Sequence, residues 1–133
     1  MRILLVGATG MIGTALFASL STAGHTVVIG ARDPAAAGRR WPHAPILRVD
    51  FSEAMTDHAW REALAGVDAV VNAVGVFQAK DTLAFDSIHS GGPSALFAAA
   101  EASGARVLHI SALGADPDSP FAYMASKGRA EVA

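Results

Sequence analysis

The sequence predicts an α/β domain: a doubly wound parallel sheet with helices on both faces, arranged in three layers. Three observations point there. Short β-branched apolar runs alternate with alanine-rich segments of helical character along the whole chain. The first runs are apolar almost throughout, as expected of strands buried on both faces. The first of them passes through a glycine-rich turn directly into a helical segment. Parallel strands joined by right-handed crossovers then give a strand order of about 3-2-1-4-5, with any ligand lying across the switch point at the strands' carboxyl ends.

Taken in order, Ile3-Leu4-Leu5-Val6 forms the first strand and Met11 to about Ala23 the first helix, ended by Gly24. The β-branched run Thr26-Val27-Val28-Ile29-Gly30 is the second strand. Asp33-Pro34 caps a short helix over Ala35-Ala36-Ala37, because proline tolerates the first helical position and aspartate accepts from the free N–H groups. Residues 38–45 connect irregularly to a third strand, Ile46-Leu47-Arg48-Val49. A helix is expected over 52–65, stopped by Gly66, and Asp68 to Ala73 is the fourth strand. Residues 75–81 read as a loop. A helical region follows from Thr82 to about Ser103, interrupted near Gly91-Gly92-Pro93 and ended by Gly104. Arg106 to Ile110 is the fifth strand, 114–120 a polar turn-rich loop, and Phe121 begins another helix.

With 133 residues the chain is one domain, large enough to bury roughly two-thirds of its unfolded surface. Its formal charge of −2 supplies no basic footprint for nucleic acid and no polybasic patch for a membrane. The absence of cysteine excludes disulfides and thiol chemistry. Residues 1–24 carry one charge, Arg2, and imitate a signal peptide or a membrane span. The regularly placed glycines and Thr14, Ser19, Ser21 and Thr22 fit a soluble helix better, so a soluble, cytoplasmic chain without membrane insertion is expected.

The turn Gly7-Ala8-Thr9-Gly10-Met11-Ile12-Gly13 has the strand–turn–helix setting of a pyrophosphate site. Gly7 permits a sharp exit from the strand, Gly10 lacks the Cβ that would keep an anion from the main chain, and Gly13 permits close helix packing. Gly7, Thr9, Gly10, Met11, Ile12 and Gly13 are therefore expected to bind a dinucleotide, at a helix N-terminus with unpaired N–H groups. At the end of the second strand, where an acid would accept from a ribose 2′-hydroxyl, stand Gly30-Ala31 and then Arg32. A guanidinium can clamp a 2′-phosphate, so Arg32 favours NADP(H). NAD(H) stays open through Asp33, one residue on. Arg39 or Arg40 can help there, or each is only a surface cation. Asp50 and Phe51 follow the third strand, where a carboxylate and the next N–H can meet the adenine, or Asp50 is an exposed strand-end acid. Asn72, Ala73 and Gly75 close the fourth strand and leave room for a ribose, or Asn72 bridges strands.

Ser111, at the end of the fifth strand, faces the nicotinamide end of this cleft. Tyr123 and Lys127 are four residues apart and so share one helix face. A phenol titrates too high for efficient proton transfer at neutral pH, and a neighbouring ammonium favours the phenolate. A serine hydroxyl can hold the substrate oxygen. This is a candidate catalytic set for exchange between a carbonyl and an alcohol.

The glycine triplet, Asn72-Ala73-x-Gly75, Ser111 and Tyr123-x-x-Ser126-Lys127 together resemble the short-chain dehydrogenase/reductase superfamily. The stretch from Ile110 to Asp116, followed by Tyr123 to Glu131, is more similar to atypical, extended-type members. These include the nucleotide-binding accessory subunit of respiratory complex I and sugar-nucleotide-epimerase-like reductases. The resemblance covers essentially the whole chain. It implies a Rossmann-type domain over residues 1–133, NAD(P)(H) as cofactor, Tyr123 as acid/base, and Lys127 orienting the nicotinamide ribose. Where many active members carry asparagine before the fifth strand, this chain has His89, which differs in reach and titration. Family members also continue past the Tyr/Lys helix, so residues 1–133 are expected to be the first part of a longer chain, binding cofactor without efficient turnover.

His25, His43, His58 and His109 show no metal-ligand spacing, and no metal site is expected. Trp41, Trp60, Met55 and Met124 are assigned to packing. The two functional expectations are an NADP(H)-dependent oxidoreductase or epimerase-like enzyme, and a non-catalytic nucleotide-binding or redox-sensing module. An apolar fifth strand at the sheet edge invites self-association, giving a possible homo-oligomer.

Overall fold

The computed structural model describes residues 1–75 and 86–133. The expected loop over residues 76–81 and the beginning of the next helix, residues 82–85, lie outside the described residues. Five strands form one parallel sheet: β1 (Arg2–Val6), β2 (Thr26–Ala31), β3 (Ile46–Arg48), β4 (Ala69–Asn72) and β5 (Arg106–His109). Their order is β3-β2-β1-β4-β5, as the sequence predicts. Leu4 is level with Val28 on one side and Val70 on the other, so β1 is central and flanked by apolar neighbours.

Alternation along the central strands feeds two separate cores. On one face Leu4, Val6, Val28 and Val70 pack with Trp60 and Leu64, beside helix α3 (Asp57–Ala63), and with Leu96 and Ala100 of helix α4 (Gly92–Ser103). On the other, Ile3, Leu5, Val27, Ile29 and Val71 meet Leu16, Phe17 and Leu20 of helix α1 (Met11–Thr22) and Ala37 of helix α2 (Pro34–Arg40). This is the three-layer Rossmann-type arrangement. Trp60 is core, and Trp41 packs tilted against Phe17 at 5.2 Å between ring centroids.

Two expected helices differ in extent. The helix expected from Ser52 starts only at Asp57, because residues 50–53 are held in a turn. Asp50 Oδ1 accepts from Ser52 N at 2.9 Å, and Glu53 N donates to Asp50 O. Thr56 is the actual N-cap, its hydroxyl accepting from Ala59 N at 3.1 Å. Near Gly91-Gly92-Pro93 the chain is not interrupted. A π-helical turn, Ser87–Gly91, runs directly into α4, with Pro93 in its first turn. Proline has no N–H to give to residue 89, and a widened turn tolerates that loss where an α turn would clash. A last helix, α5 (Ala122–Glu131), packs against this π turn. Gly128 lets it lie on the loop before it, since a Cβ there would be 2.3 Å from Asp116 C and Pro117 N. No described helix is long and apolar enough to cross a membrane.

Candidate dinucleotide cleft and the Tyr123–Lys127 face

The glycine turn leaves β1 at Gly7, whose φ of +88° is in the left-handed region that side chains resist. A Cβ at Gly7 would also lie 2.6 Å from Ala73 C, so the turn and the end of β4 touch backbone to backbone. At Gly13 a Cβ would stand 2.0 Å from Gly7 O, which lets α1 pack onto the turn that precedes it. Gly10 differs, since its Cβ would meet only Gly7 O at 3.5 Å and otherwise point into open space. A side chain there would fill the cradle itself. Met11 and Ile12 begin α1 with exposed side chains, and their backbone N–H groups belong to the first turn, which has no intrahelical acceptors.

Thr9, Gly7 and Gly10 form one wall of a cleft of about 320 Å³ at the carboxyl ends of the strands. The opposite walls are Gly30 to Asp33 after β2, Val49 to Ser52 after β3, and Ala73 to Gly75 after β4. A larger hollow of about 390 Å³ opens at the amino end of β2, between Phe17, His25 and Trp41. None of the residues from Gly7 to Gly13 lines it.

Arg32 is exposed on the cleft wall. Asp33, the alternative ribose acceptor, uses Oδ1 to accept from Ala36 N at 3.1 Å as the N-cap of α2. Asp50 is buried, and burial alone would raise its pKa. Hydrogen bonds from Ser52 N and Oγ, with the charges of Arg32 and Arg48, outweigh that and hold it below the usual carboxylate value. Phe51 is core as well as cleft, with its ring against Gly92, where a Cβ would come within 2.5 Å. Arg40 is an exposed cation, as the sequence suggests, and also ties α2 to the glycine turn. Its guanidinium donates to Thr9 O (3.4 Å) and Thr14 Oγ1 (3.0 Å) and lies 4.5 Å over the Trp41 ring.

Asn72 is fully buried behind the cleft wall. Its Oδ1 accepts from Val74 N at 3.1 Å and its Nδ2 lies 3.1 Å from His109 Nδ1, so it bridges β4 to β5. An amide nitrogen can only donate, so His109 Nδ1 accepts and the ring proton sits on Nε2. Burial and the nearby Lys127 charge lower the His109 pKa and keep it neutral. His109 is thus a packed histidine, edge-on to Phe97 at 5.3 Å.

Lys127 is 3% exposed. Its Nζ donates to Val74 O at 3.0 Å and to Ile110 O at 3.1 Å, joining α5 to the ends of β4 and β5. Burial lowers its pKa, and the two carbonyls take two of its three N–H groups. Gly75 lies beside this ammonium, and a Cβ there would be in ordinary contact with Nζ at 3.5 Å. Ser111 follows Ile110 directly, and its Oγ is buried with no hydrogen-bond partner among the described residues. Tyr123 lies one turn before Lys127 on α5, its ring edge-on to His89 at 5.3 Å. The supporting groups Val74 O and Ile110 O were not separable in sequence, because carbonyl acceptors carry no residue signature. Among the described residues no group of three acidic or histidine side chains can hold a metal.

The open side of Gly10, the paired glycine contacts and a cation at the end of β2 suit a dinucleotide, with its pyrophosphate against the turn. A family model described as NAD(P)H-binding matches residues 7–132. No curated protein matches this sequence. Among solved structures, one described as an NAD-dependent epimerase/dehydratase from Bacillus halodurans is 28% identical with a TM-score of 0.82, covering 99% of this chain and 63% of that one. A short-chain dehydrogenase from Streptomyces avermitilis is 26% identical with a TM-score of 0.77, over 98% of this chain and 57% of that one. A short-chain dehydrogenase/reductase superfamily protein from Agrobacterium tumefaciens with bound NAD is 23% identical with a TM-score of 0.74, over 99% and 43%, and shows the fold alone. The chain therefore spans less than two-thirds of the length of these structures. By the matched model, and with structural neighbours among short-chain dehydrogenases and epimerase/dehydratases, the chain belongs to the NAD(P)H-binding family.

Proposed function

We propose that residues 1–133 are the NADP(H)-binding portion of a reductase or epimerase-like enzyme that exchanges hydride with a carbonyl or alcohol. The observation that carries this reading is the seat of Lys127. Its ammonium is drawn by Val74 O and Ile110 O to the carboxyl edge of the sheet, beside Ser111 and one helical turn from Tyr123. Bound cofactor supplies or accepts the hydride. Tyr123 exchanges a proton with the substrate oxygen, the Ser111 hydroxyl donates to that oxygen, and the third N–H of Lys127 serves a ribose hydroxyl. Arg32 holds the 2′-phosphate, which Asp33 is less suited to oppose because its carboxylate is occupied in capping α2. The pyrophosphate rests on Gly7, Thr9, Gly10 and the N–H groups of Met11, Ile12 and Gly13.

A second reading has one observation in its favour. The two carbonyl bonds of Lys127 stabilise the sheet end whether or not chemistry occurs, as they would in a non-catalytic nucleotide-binding module. The readings separate when NADPH binding and NADPH consumption against a panel of carbonyl compounds are measured for wild type and Tyr123→Phe. Binding by both, with slow consumption by wild type that Tyr123→Phe abolishes, is the expected result. Binding by both with no consumption by either selects the module, and failure of wild type to bind either dinucleotide refutes both.

A further inference from the structure

His89 is fully buried in the π-helical turn, outside the residues that line the cleft. Its Nδ1 is 3.0 Å from Ser126 Oγ, and Ser126 Oγ is 2.8 Å from Tyr123 O. The direction of this chain follows from proton counting. A carbonyl only accepts, so the single hydroxyl proton of Ser126 goes to Tyr123 O. Ser126 Oγ must then accept from His89, which fixes the ring proton on Nδ1 and leaves Nε2 as an acceptor. The same imidazole meets the Tyr123 ring edge-on, with centroids 5.3 Å apart and planes at 88°. Tyr123 is thus held twice by one residue, at its ring by contact and at its backbone through Ser126.

We propose that His89 is the positioning residue of Tyr123, locking both the ring and the helical turn that carries it. The proposal rests on the reading of Tyr123 as acid/base, but its test requires no turnover, so the two can fail separately. A proton relay that passes through a charged imidazolium is opposed by the surroundings. Lys127 on α5 and His109 on β5 both face the ring, and burial with their influence lowers the His89 pKa from 6.5 to about 4. The ring therefore stays neutral and keeps one tautomer across the working pH range. A packed histidine of no further consequence would show the same burial but no coupling to Tyr123.

Tyr123 is the one tyrosine in the chain, so its ring signals are identified without assignment by mutation. NMR of the labelled full chain should show His89 protonated at Nδ1 and bare at Nε2 from pH 8 to 5, with Tyr123 ring signals constant through that window. In Ser126→Ala the ring contact remains but the bond to the carbonyl is gone. The other His89 tautomer should then become populated, Tyr123 signals should move, and amide exchange across residues 122–127 should speed up roughly fivefold or more. His89→Asn should displace the Tyr123 signals further, and if that variant does not fold, Ser126→Ala decides. A wild-type ring protonated at Nε2 overturns the proposal, as does a folded Ser126→Ala protein with unchanged Tyr123 signals.

Discussion

The glycine turn after β1 and the Tyr123–Lys127 face of α5 stand at the same edge of the sheet, but different contacts hold them there. The turn is built by absence. Gly13 lets backbone meet backbone inside a seven-residue stretch, Gly7 does so against Ala73 at the end of β4, and Gly10 leaves the cleft side bare. The helix face is built by side chains reaching far along the sequence. Lys127 bonds to Val74 O 53 residues away, and His89 to Ser126 37 residues away, while Arg129 pairs with Asp86 across the same boundary. A device of backbone geometry tolerates little chemical change and asks of its one distant neighbour, Ala73, only main-chain atoms. A long-range device of buried polar groups depends on both elements being in place. The first region should therefore fail by steric clash, and the second by unsatisfied polar groups and by changes in pH.

The sharpest way to break the comparison lies within the glycine turn. Gly13→Val drives a side chain into Gly7 O and should lose at least about 3 kcal/mol, enough to unfold much of the protein. Gly10→Val points into open space, so it should keep a near wild-type melting curve while dinucleotide affinity falls by about a hundredfold or more. Melting by circular dichroism beside a cofactor titration distinguishes these outcomes. Equal melting temperatures for the two variants would remove the distinction between packing glycine and cradle glycine.

Lys127→Met tests the other region. It strands two part-buried carbonyls, which weakens the fold, and removes a desolvated charge, which offsets part of that loss. The first effect should win by about 2 kcal/mol. A urea midpoint equal to wild type would show that the strand ends do not need this ammonium.

Acid should also strike this region first. His89 has a folded pKa of about 4 against 6.5 for an exposed imidazole. Between those values the unfolded chain binds the proton and the folded chain does not. The stabilisation is therefore complete above pH 6.5, falls as pH drops, and levels near pH 4. The loss over that window is roughly 2–3 kcal/mol, to which His109, shifted the same way, adds. Denaturant midpoints at pH 7, 5.5 and 4.5 should show it, with a flatter slope in His89→Asn.

Two smaller effects sharpen the contrast at the periphery. Arg32→Ala should remove about 1.5–3 kcal/mol of preference for NADPH, roughly ten- to hundredfold, with little change in NADH affinity. Equal wild-type affinities for the two cofactors would refute the assignment of a 2′-phosphate site. At the sheet edge, β5 exposes Val107 by 38% and Leu108 by 54%. Leu108→Lys should lower self-association in sedimentation while altering monomer stability by less than about 0.5 kcal/mol. A wild type that is monomeric at high concentration removes that edge from consideration.

By itself the sequence determined what depends on local chemistry and periodicity. Five apolar runs separated by helical segments dictate a parallel sheet, and its strand order follows from crossover handedness. Gly7 and Gly13 announce the turn because only glycine meets those backbone demands, while Gly10 leaves its open side bare. Asp33-Pro34 announces its cap for a similar reason. Tyr123 and Lys127 could be placed on one face from their spacing, and Ser111 at a strand end from its position. The tertiary structure decided how polar groups pair. It moved the start of α3 to Asp57, since Asp50 chose Ser52 as partner, and it carried the chain through Pro93 on a π turn. It turned Asn72 away from the cleft to His109, brought Arg40 to the glycine turn, and set Lys127 on two carbonyls. Backbone carbonyls have no residue code, and a buried side chain bonds whatever the fold brings near, so these pairings exist only once the layers have packed.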